Sequence, residues 1–253
     1  MQEARDITVD VGMPSPQNNL DTKLYRVYFF VQEQASPPLD RRTRKRLATR
    51  QAISDAATRL FMEHGFDQVT VDEIAEAADV GRMTVFNHFP HKEDMFFDRE
   101  DEVREMVSAA IHGRDEGASP VTALRLLAHR CIEDRNPLLP LFGAPLRFVA
   151  TALASEALKA RARQMSSEFT NVLAAMLARS VDRPADDPVA HLLAGLLVAT
   201  WSVAFFEGYN VADTGGDAAA AGRVFLPLID RGFLAAAAAA AGTPYVEAGP
   251  HRR

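Results

Sequence analysis

The sequence is poor in the residues and motifs on which most enzyme active sites depend. It contains one cysteine, Cys131, so it can form no internal disulfide and suits a reducing cytoplasm. It has no glycine-rich phosphate loop, no GxSxG or HExxH motif and no paired-cysteine zinc spacing. His129 and Glu133 lie four residues apart, as metal ligands can, but solvated helix pairs share this spacing and no third ligand lies nearby. We therefore expect no enzymatic activity, no metal and no cofactor.

Membrane and secretion signals are also missing. No uninterrupted apolar run of eighteen or more residues predicts a membrane span, and the alanine-rich tract 235–241 is too short and too weakly hydrophobic. The first thirty residues lack the basic start and apolar core of a secretory signal. We expect no membrane partner. Residues 1–40 are punctuated by prolines and show no sustained period, which predicts a disordered extension.

Charge is distributed unevenly along the chain. The net charge is −6, yet residues 41–50 carry six basic residues and no acid. Residues 41–92 include nine basic and seven acidic residues. The chain from residue 93 onward includes sixteen basic and twenty-one acidic residues. Attraction to phosphate is therefore confined to one end of the chain. A run of arginines is often only a solvated tail, but this one leads directly into a helical segment.

Residues 70–92, TVDEIAEAADVGRMTVFNHFPHK, carry most of the information about function. Thr70 and Glu73 have the spacing of a capping box, which predicts a helix from Val71 to about Ala78. Gly81 precedes a second helix, and Pro90 ends it. A gap of three or four residues forces a sharp angle between the two, as in a helix-turn-helix. An amphipathic helix lies upstream and ends before Gly65. Three such helices also form the core of many proteins that do not bind DNA.

Residues 50–94 resemble the N-terminal domain of the TetR family of bacterial transcriptional regulators. The matching residues are Ala56-Ala57, Leu60-Phe61, Gly65-Phe66, Thr70-Val71, Ile74-Ala75, Ala78, Val80, Thr84, Phe89-Pro90 and Lys92-Glu93. The sequence departs from the family pattern at Gly81, Met83, Phe86 and His88, where Ser, Gly and two tyrosines are usual. The sequence therefore lacks the hydroxyls that make two phosphate contacts customary in the family, although His88 can still donate a hydrogen bond.

The helix from Arg82 to His88 is the predicted recognition helix. Arg82 is suited to guanine, Asn87 to adenine and Thr84 to a thymine methyl group. By resemblance to the family, Lys92 holds a backbone phosphate, and Thr70 is placed to do likewise. The predicted contacts with double-stranded DNA are Arg42, Arg44, Lys45, Arg46, Thr70, Arg82, Met83, Thr84, Asn87, His88 and Lys92.

The chain from about residue 92 predicts helices throughout. The first runs from about His91 to His112, and the stretch from Leu146 to Arg179 forms two helices or one bent near Ser155. The fold class is all-α, with an N-terminal helix-turn-helix domain and a C-terminal helical bundle for ligand binding and dimerisation. The predicted divisions are 1–40, an extension; 41–91, a basic arm and helix-turn-helix; 92–241, the bundle; and 242–253, a frayed tail.

Two long apolar helices, about 189–209 and 218–241, predict a homodimer. The first is apolar nearly all round and must be buried on more than one side, with Leu192, Leu196, Ala199, Val203 and Phe206 on one face. Two such helices from each of two chains can form a four-helix bundle across a two-fold axis, and the family resemblance implies this interface. Burial within one chain is the alternative. A dimer would read two half-sites of a near-palindromic operator.

The resemblance also implies a small-molecule pocket in the bundle, whose ligand releases the operator. The candidate lining residues are Leu127, Cys131, Phe142, Phe148, Met165, Phe169, Trp201, Phe205 and Tyr209. Few of the charged residues fall on these faces, which favours an apolar or amphipathic effector. Each of these side chains is also suited to plain core packing. The expected function is a ligand-responsive repressor, and the alternative is a DNA-binding protein without a small-molecule response.

Overall fold

The structure, a computed structural model, describes residues 40–139, 141 and 145–247, and every regular element in these residues is an α-helix. The extension at 1–39, the pocket candidate Phe142 and residues 248–253 lie outside the described residues. The helices are α1 Arg41–His64, α2 Val71–Ala77, α3 Arg82–His88, α4 Lys92–Phe96, α5 Glu100–His112, α6 Pro120–Glu133, α7 Pro145–Ala154, α8 Glu156–Arg179, α9 Pro188–Asp213 and α10 Ala218–Ala239.

Two hydrophobic cores organise these helices. Helices α1–α4 enclose the first, in which Ile53, Phe61, Ile74 and Phe89 are fully buried. Helices α5–α10 enclose the second and larger one. Leu158 of α8 is fully buried in the first core, so the second helical region packs directly against the first. The all-α fold class is thereby confirmed.

The basic segment is helical, which its description as an arm did not anticipate. Asp40 caps α1 by accepting hydrogen bonds from the backbone N–H groups of Arg42 and Thr43 at 2.7 and 3.0 Å. The helix then runs for 24 residues without a break into the first core. Residues 41–50 therefore form a rigid extension of α1.

The predicted helix from His91 to His112 is wrong in one respect, because it divides at residues 97–99 into α4 and α5. Phe96 is buried in the first core. Two residues later, Asp98 accepts a hydrogen bond from the buried Ser54 hydroxyl on α1. The Ser54–Asp98 contact joins residues 44 positions apart, so helical periodicity alone could not show it.

The division near Ser155 is confirmed. The Ser155 hydroxyl accepts a hydrogen bond from Leu158 N–H and donates one to Asp67 Oδ1 at 2.7 Å. One side chain thus starts α8 and ties it to the loop between α1 and α2. The helical bundle is fixed to the N-terminal domain at this point.

The frayed tail predicted for 242–253 is wrong over the residues described, 242–247. The Tyr245 side chain is 1% exposed and belongs to the second core. Its carbonyl oxygen accepts a hydrogen bond from Val121 N–H at 3.5 Å, at the start of α6. Burial of one aromatic ring against distant helices orders a segment whose own sequence has no helical period.

Helix α9 departs from the expectation that no segment could span a membrane. It is 26 residues long. Its most apolar stretch of eighteen residues has a mean hydropathy of 1.9, and 28% of that stretch is buried. Length and composition would allow it to cross a membrane, although core helices of soluble proteins also meet that criterion. The exposed part of this helix includes the apolar face predicted for dimerisation.

Candidate nucleic-acid interface

Helices α2 and α3 form the predicted helix-turn-helix. Thr70 Oγ1 accepts from Glu73 N–H at 3.2 Å, and Glu73 Oε2 accepts from Thr70 N–H at 2.7 Å, which completes the capping box. Asp79 takes a positive φ of 51° after α2, and Gly81 caps α3. Phe89 has extended backbone angles and ends α3 before Pro90.

The side chains of α3 divide into a buried and an exposed set. Val85 is fully buried and anchors α3 in the first core. Arg82 and Asn87 are exposed, and Met83 is 70% exposed. Thr84 and His88 are partly buried and flank them. A short helix held by one apolar residue and presenting polar groups outward has the form of a recognition helix.

Arg82 does not stand alone on this surface. Its Nη1 donates hydrogen bonds to both carboxylate oxygens of Asp72, at 3.1 and 2.8 Å. Its guanidinium carbon lies 5.5 Å from the ring centroid of Phe86. The first turn of α2 therefore holds the first residue of α3, a contact that the sequence analysis missed.

Two other predicted contacts with phosphate have partners inside the protein. Lys92 Nζ donates to the carbonyl oxygens of Phe66 and Val69, both at 2.7 Å, and burial lowers the pKa of its ammonium group. One N–H of the ammonium remains for a phosphate. Thr70 Oγ1 also donates to Glu73 Oε2 at 2.8 Å. The phosphate contacts of both residues stay predictions.

Arg50 links α1 to the end of the recognition helix. Its Nη1 donates to the carbonyl oxygen of His88 at 2.6 Å, and its guanidinium lies 4.0 Å from the Phe89 ring centroid. Burial, with the positive charges of Arg50 and Arg46, lowers the pKa of His88, so the imidazole is neutral near neutral pH. Arg50 belongs to the basic run, and its bond to a helix carbonyl could not be predicted from the sequence because it depends on the fold.

The basic segment itself is open to solvent. Arg42, Arg44, Lys45 and Arg46 are all exposed on the first turns of α1. Arg50, further along the same helix, is bonded to the end of α3, and the positive charge of Arg46 acts on His88 of α3, so α1 holds the basic segment beside the helix-turn-helix on a rigid support. The structure thus brings a positively charged helix end and an exposed recognition helix into one domain.

The link between the two helical regions corrects the prediction for Phe148. This residue stacks on Phe96 with ring centroids 3.8 Å apart and packs against the first core rather than lining a pocket in the second. Nearby, Arg161 Nε of α8 donates to Asp94 Oδ1 of α4 at 3.0 Å, and its Nη1 donates to Glu168 at 3.2 Å. Contacts of both kinds fix α4, immediately after the helix-turn-helix, to the bundle.

A groove of about 320 Å³ opens between α5 and α6. Leu127 lies on it, together with Met106, Leu126 and the charged residues Arg114, Asp115 and Arg130. Of the eight predicted pocket residues that the structure describes, Leu127 is the one that lines this groove. Its walls combine apolar and charged side chains, which suits an amphipathic occupant more than a purely apolar one.

Five of the other predicted pocket residues belong to the second core or pack against it. Cys131 and Tyr209 are buried, whereas Phe169, Trp201 and Phe205 are partly buried against the core. Met165 is partly buried on α8. Burial raises the pKa of the Cys131 thiol to about 11, so the group is an unreactive part of the packing.

His129 has a partner other than a metal. Its Nε2 lies 2.8 Å from Asp230 Oδ1 of α10, which also accepts a hydrogen bond from Arg125 at 2.9 Å. These bonds join α6 to α10. Over residues 40–139, 141 and 145–247, the structure places no three potential metal-binding side chains together.

The apolar face predicted on α9 is exposed. Leu192, Val203 and Phe206 are 51%, 56% and 44% exposed, and Leu234 of α10 is 73% exposed. Leu193, Leu197 and Ala204, on the neighbouring face of α9, are buried in the second core. Helix α9 is thus apolar toward the core and toward solvent.

Sequence comparisons relate the chain to known transcriptional regulators. Residues 53–98 match the sequence profile described as bacterial regulatory proteins, tetR family. The HTH-type transcriptional regulator TcmR of Streptomyces glaucescens is 30% identical over 182 residues, which cover 68% of this chain and 78% of TcmR. The HTH-type transcriptional repressor LfrR of Mycolicibacterium smegmatis is 33% identical over 42% of this chain and 52% of its own length. The crystal structure of NalD, the secondary repressor of a multidrug efflux pump in Pseudomonas aeruginosa, superposes with a TM-score of 0.48 and 21% identity, covering 74% of this chain and 97% of NalD.

Proposed function

The chain belongs to the TetR family of bacterial regulatory proteins and is a DNA-binding transcriptional regulator; we propose that it is a cytoplasmic repressor that binds a near-palindromic operator as a homodimer and leaves it when a small molecule binds. The observation that carries the proposal is the exposed recognition helix α3 beside the solvated basic end of α1. The relatives that support it are regulators, and we propose no enzymatic activity.

The dimer is proposed from the exposed face of α9. Leu192, Val203 and Phe206, with Leu234 of α10, expose large apolar side chains on two helices that pack against each other. A second copy covers this face most simply, because a two-fold axis pairs the same two helices from each chain. To read successive major grooves, such a dimer must hold its two recognition helices about 34–36 Å apart.

The groove between α5 and α6 is the proposed effector site. Its volume of about 320 Å³ is at the lower end of the range for small-molecule sites. Arg114, Asp115 and Arg130 on its walls favour an amphipathic molecule with a polar group. A ligand there shifts the regulator only to the extent that it binds the DNA-free conformation more tightly.

Footprinting of the DNA upstream of the protein's own gene, with and without candidate amphipathic ligands, tests the proposal. We expect a protected segment with two-fold symmetry that disappears when an effector is added. Binding that is indifferent to sequence and governed by salt alone would instead support an architectural DNA-binding protein.

A variant separates dimerisation from folding. Val203→Glu places a charge on the exposed face of α9 and should give a folded monomer in analytical ultracentrifugation, with weakened operator binding. Glu207→Gln, an exposed position on the same helix, is the control and should remain dimeric. A Val203→Glu protein that stays dimeric would refute the proposed interface.

A further inference from the structure

We infer that Asp72 is a specificity-determining residue that positions Arg82 to read one base pair, an inference that rests on the proposed recognition of DNA by α3. Asp72 lies in the first turn of α2, and Arg82 is the first residue of α3. The Nη1 atom of Arg82 lies 3.1 and 2.8 Å from the two carboxylate oxygens of Asp72. Both side chains are more than half exposed, so the ion pair lies on the surface that α3 offers to DNA.

The geometry leaves the arginine able to bind a base. A guanidinium group carries five N–H donors in a planar fork, and contact through Nη1 leaves Nη2 and Nε unoccupied by Asp72. Two parallel N–H donors on one guanidinium match O6 and N7 of guanine. Asp72 and a guanine can therefore bind different edges of Arg82 at the same time.

The pair also holds Arg82 in place before DNA arrives. A free arginine side chain loses considerable rotamer freedom when it is fixed at an interface. Here the carboxylate of Asp72 holds one edge, and the Phe86 ring lies 5.5 Å from the guanidinium carbon. Part of the loss of rotamer freedom that binding requires has therefore already occurred before Arg82 enters the major groove.

Asp72 also reduces the attraction of Arg82 for DNA of any sequence. An unpaired arginine on this surface would bind phosphate without regard to sequence. Because its charge is paired with that of Asp72, Arg82 adds little net charge to this surface. Its contribution to binding therefore comes from a base that offers two hydrogen-bond acceptors in the right place. One carboxylate thus favours the correct base and disfavours indiscriminate binding.

Asp72→Asn tests this inference, with Glu76→Gln as the matched control. Both substitutions remove one negative charge from an exposed position of α2, but Glu76 has no hydrogen bond to α3 in the structure. Dissociation constants are measured at one salt concentration for the operator, for random DNA, and for operators altered at each base pair in turn. The base pair where Arg82→Ala loses its preference is the one that Arg82 reads.

We expect Asp72→Asn to reduce the preference at that base pair by about three- to tenfold, the order of one side-chain contact. Affinity for random DNA should rise by up to about twofold, since a negative charge near phosphate is lost. Glu76→Gln should leave the base preference unchanged. Circular dichroism melting of each variant confirms that the domain is folded.

A double substitution makes the test specific to the pair. In the Arg82→Ala background, Asp72→Asn should change the base preference no further, because its effect passes through Arg82. If the two effects multiply instead, or if Asp72→Asn strengthens binding to all DNA equally, the inference is overturned. A wild-type protein that prefers no sequence would overturn the proposed function itself, a result that the first measurement alone reveals.

Discussion

Gly232 of α10 lies so close to Thr200 of α9 that a Cβ added to the glycine would be 2.9 Å from Thr200 Cβ and nearer still to both of its γ atoms. Rotation of the threonine side chain cannot relieve this contact, since Thr200 Cβ does not move when the side chain rotates. The absence of a side chain at residue 232 therefore sets the distance between the two helices that carry the proposed dimer face.

Gly232→Ala should destabilise the protein by about 1–3 kcal/mol, the usual cost of overpacking a close contact. Urea unfolding at several protein concentrations measures the loss. Thr200→Ala in the same chain should recover part of it. Gly195→Ala is the control, because a Cβ there meets no atom within 4 Å and the higher helix propensity of alanine should stabilise the protein by up to about 1 kcal/mol. An equal loss from that change would show that the contact with Thr200 is not responsible.

Lys92 and Lys45 should respond differently to replacement by methionine. Lys92→Met removes two charge-assisted hydrogen bonds to the carbonyls of Phe66 and Val69, and should cost about 1–3 kcal/mol. Lys45 is exposed on α1, so Lys45→Met should leave thermal unfolding unchanged while lowering the slope of log affinity against log salt by about one. A lower slope for Lys92→Met as well would establish its proposed phosphate contact, and unchanged unfolding would contradict its structural role.

Arg161 should couple the recognition domain to the bundle. The side chains of Arg161 and Asp94 are only 19% and 20% exposed, so solvent screens their attraction less than at an open surface. A double-mutant cycle with Arg161→Met and Asp94→Asn should give a coupling energy of about 1 kcal/mol in unfolding. Arg163→Met, at an exposed position of α8, should show no coupling to Asp94→Asn. Additive effects of the first pair would remove this link.

Asp98 should make stability depend on pH. Burial raises its pKa, against the opposing effects of the Ser54 hydrogen bond and the nearby Arg99 and Arg50. Protonated Asp98 therefore stabilises the fold. This contribution to the free energy of unfolding is complete below the ordinary aspartate pKa and is lost as the pH rises through the raised pKa of Asp98. Asp98→Asn keeps an acceptor for the Ser54 hydroxyl and removes this titration.

Unfolding free energies measured between about pH 4 and pH 8 provide the test. The stability of Asp98→Asn relative to the natural protein should increase with pH and then level off. Asp101→Asn, at an exposed position of α5, should give a curve parallel to that of the natural protein. Parallel curves for both variants would show that Asp98 does not titrate in this way.

Local signals in the sequence predicted the helix-turn-helix well. The Thr70–Glu73 capping box, Gly81 and Pro90 act within a few residues, so their spacing alone marks where α2 and α3 begin and end. The features that could not be predicted depend on distant residues. Ser54 of α1 donates a hydrogen bond to Asp98, which lies in the break between α4 and α5. Tyr245 orders the segment after α10 because its side chain is buried in the second core.

The candidate site shows the same division. Exposure of Arg82 and Asn87 followed from helical period, because Val85 had to face the core. The partners of these side chains could not be predicted in this way, because the position of Asp72 relative to Arg82 depends on the angle between two helices. The pocket was harder still, since partly buried aromatic residues such as Trp201 pack in cores and in binding sites alike.

The unbroken course of α1 gives the basic residues at its start a mechanical consequence. Arg42 stands eleven residues before the buried Ile53, or about 16 Å along the helix axis. A tilt of α1 by about 10° around its buried end would move those charges by about 3 Å, the full length of a hydrogen bond. The helix is in this sense a lever, and an angular change too small to disturb the core would be enough to release a phosphate.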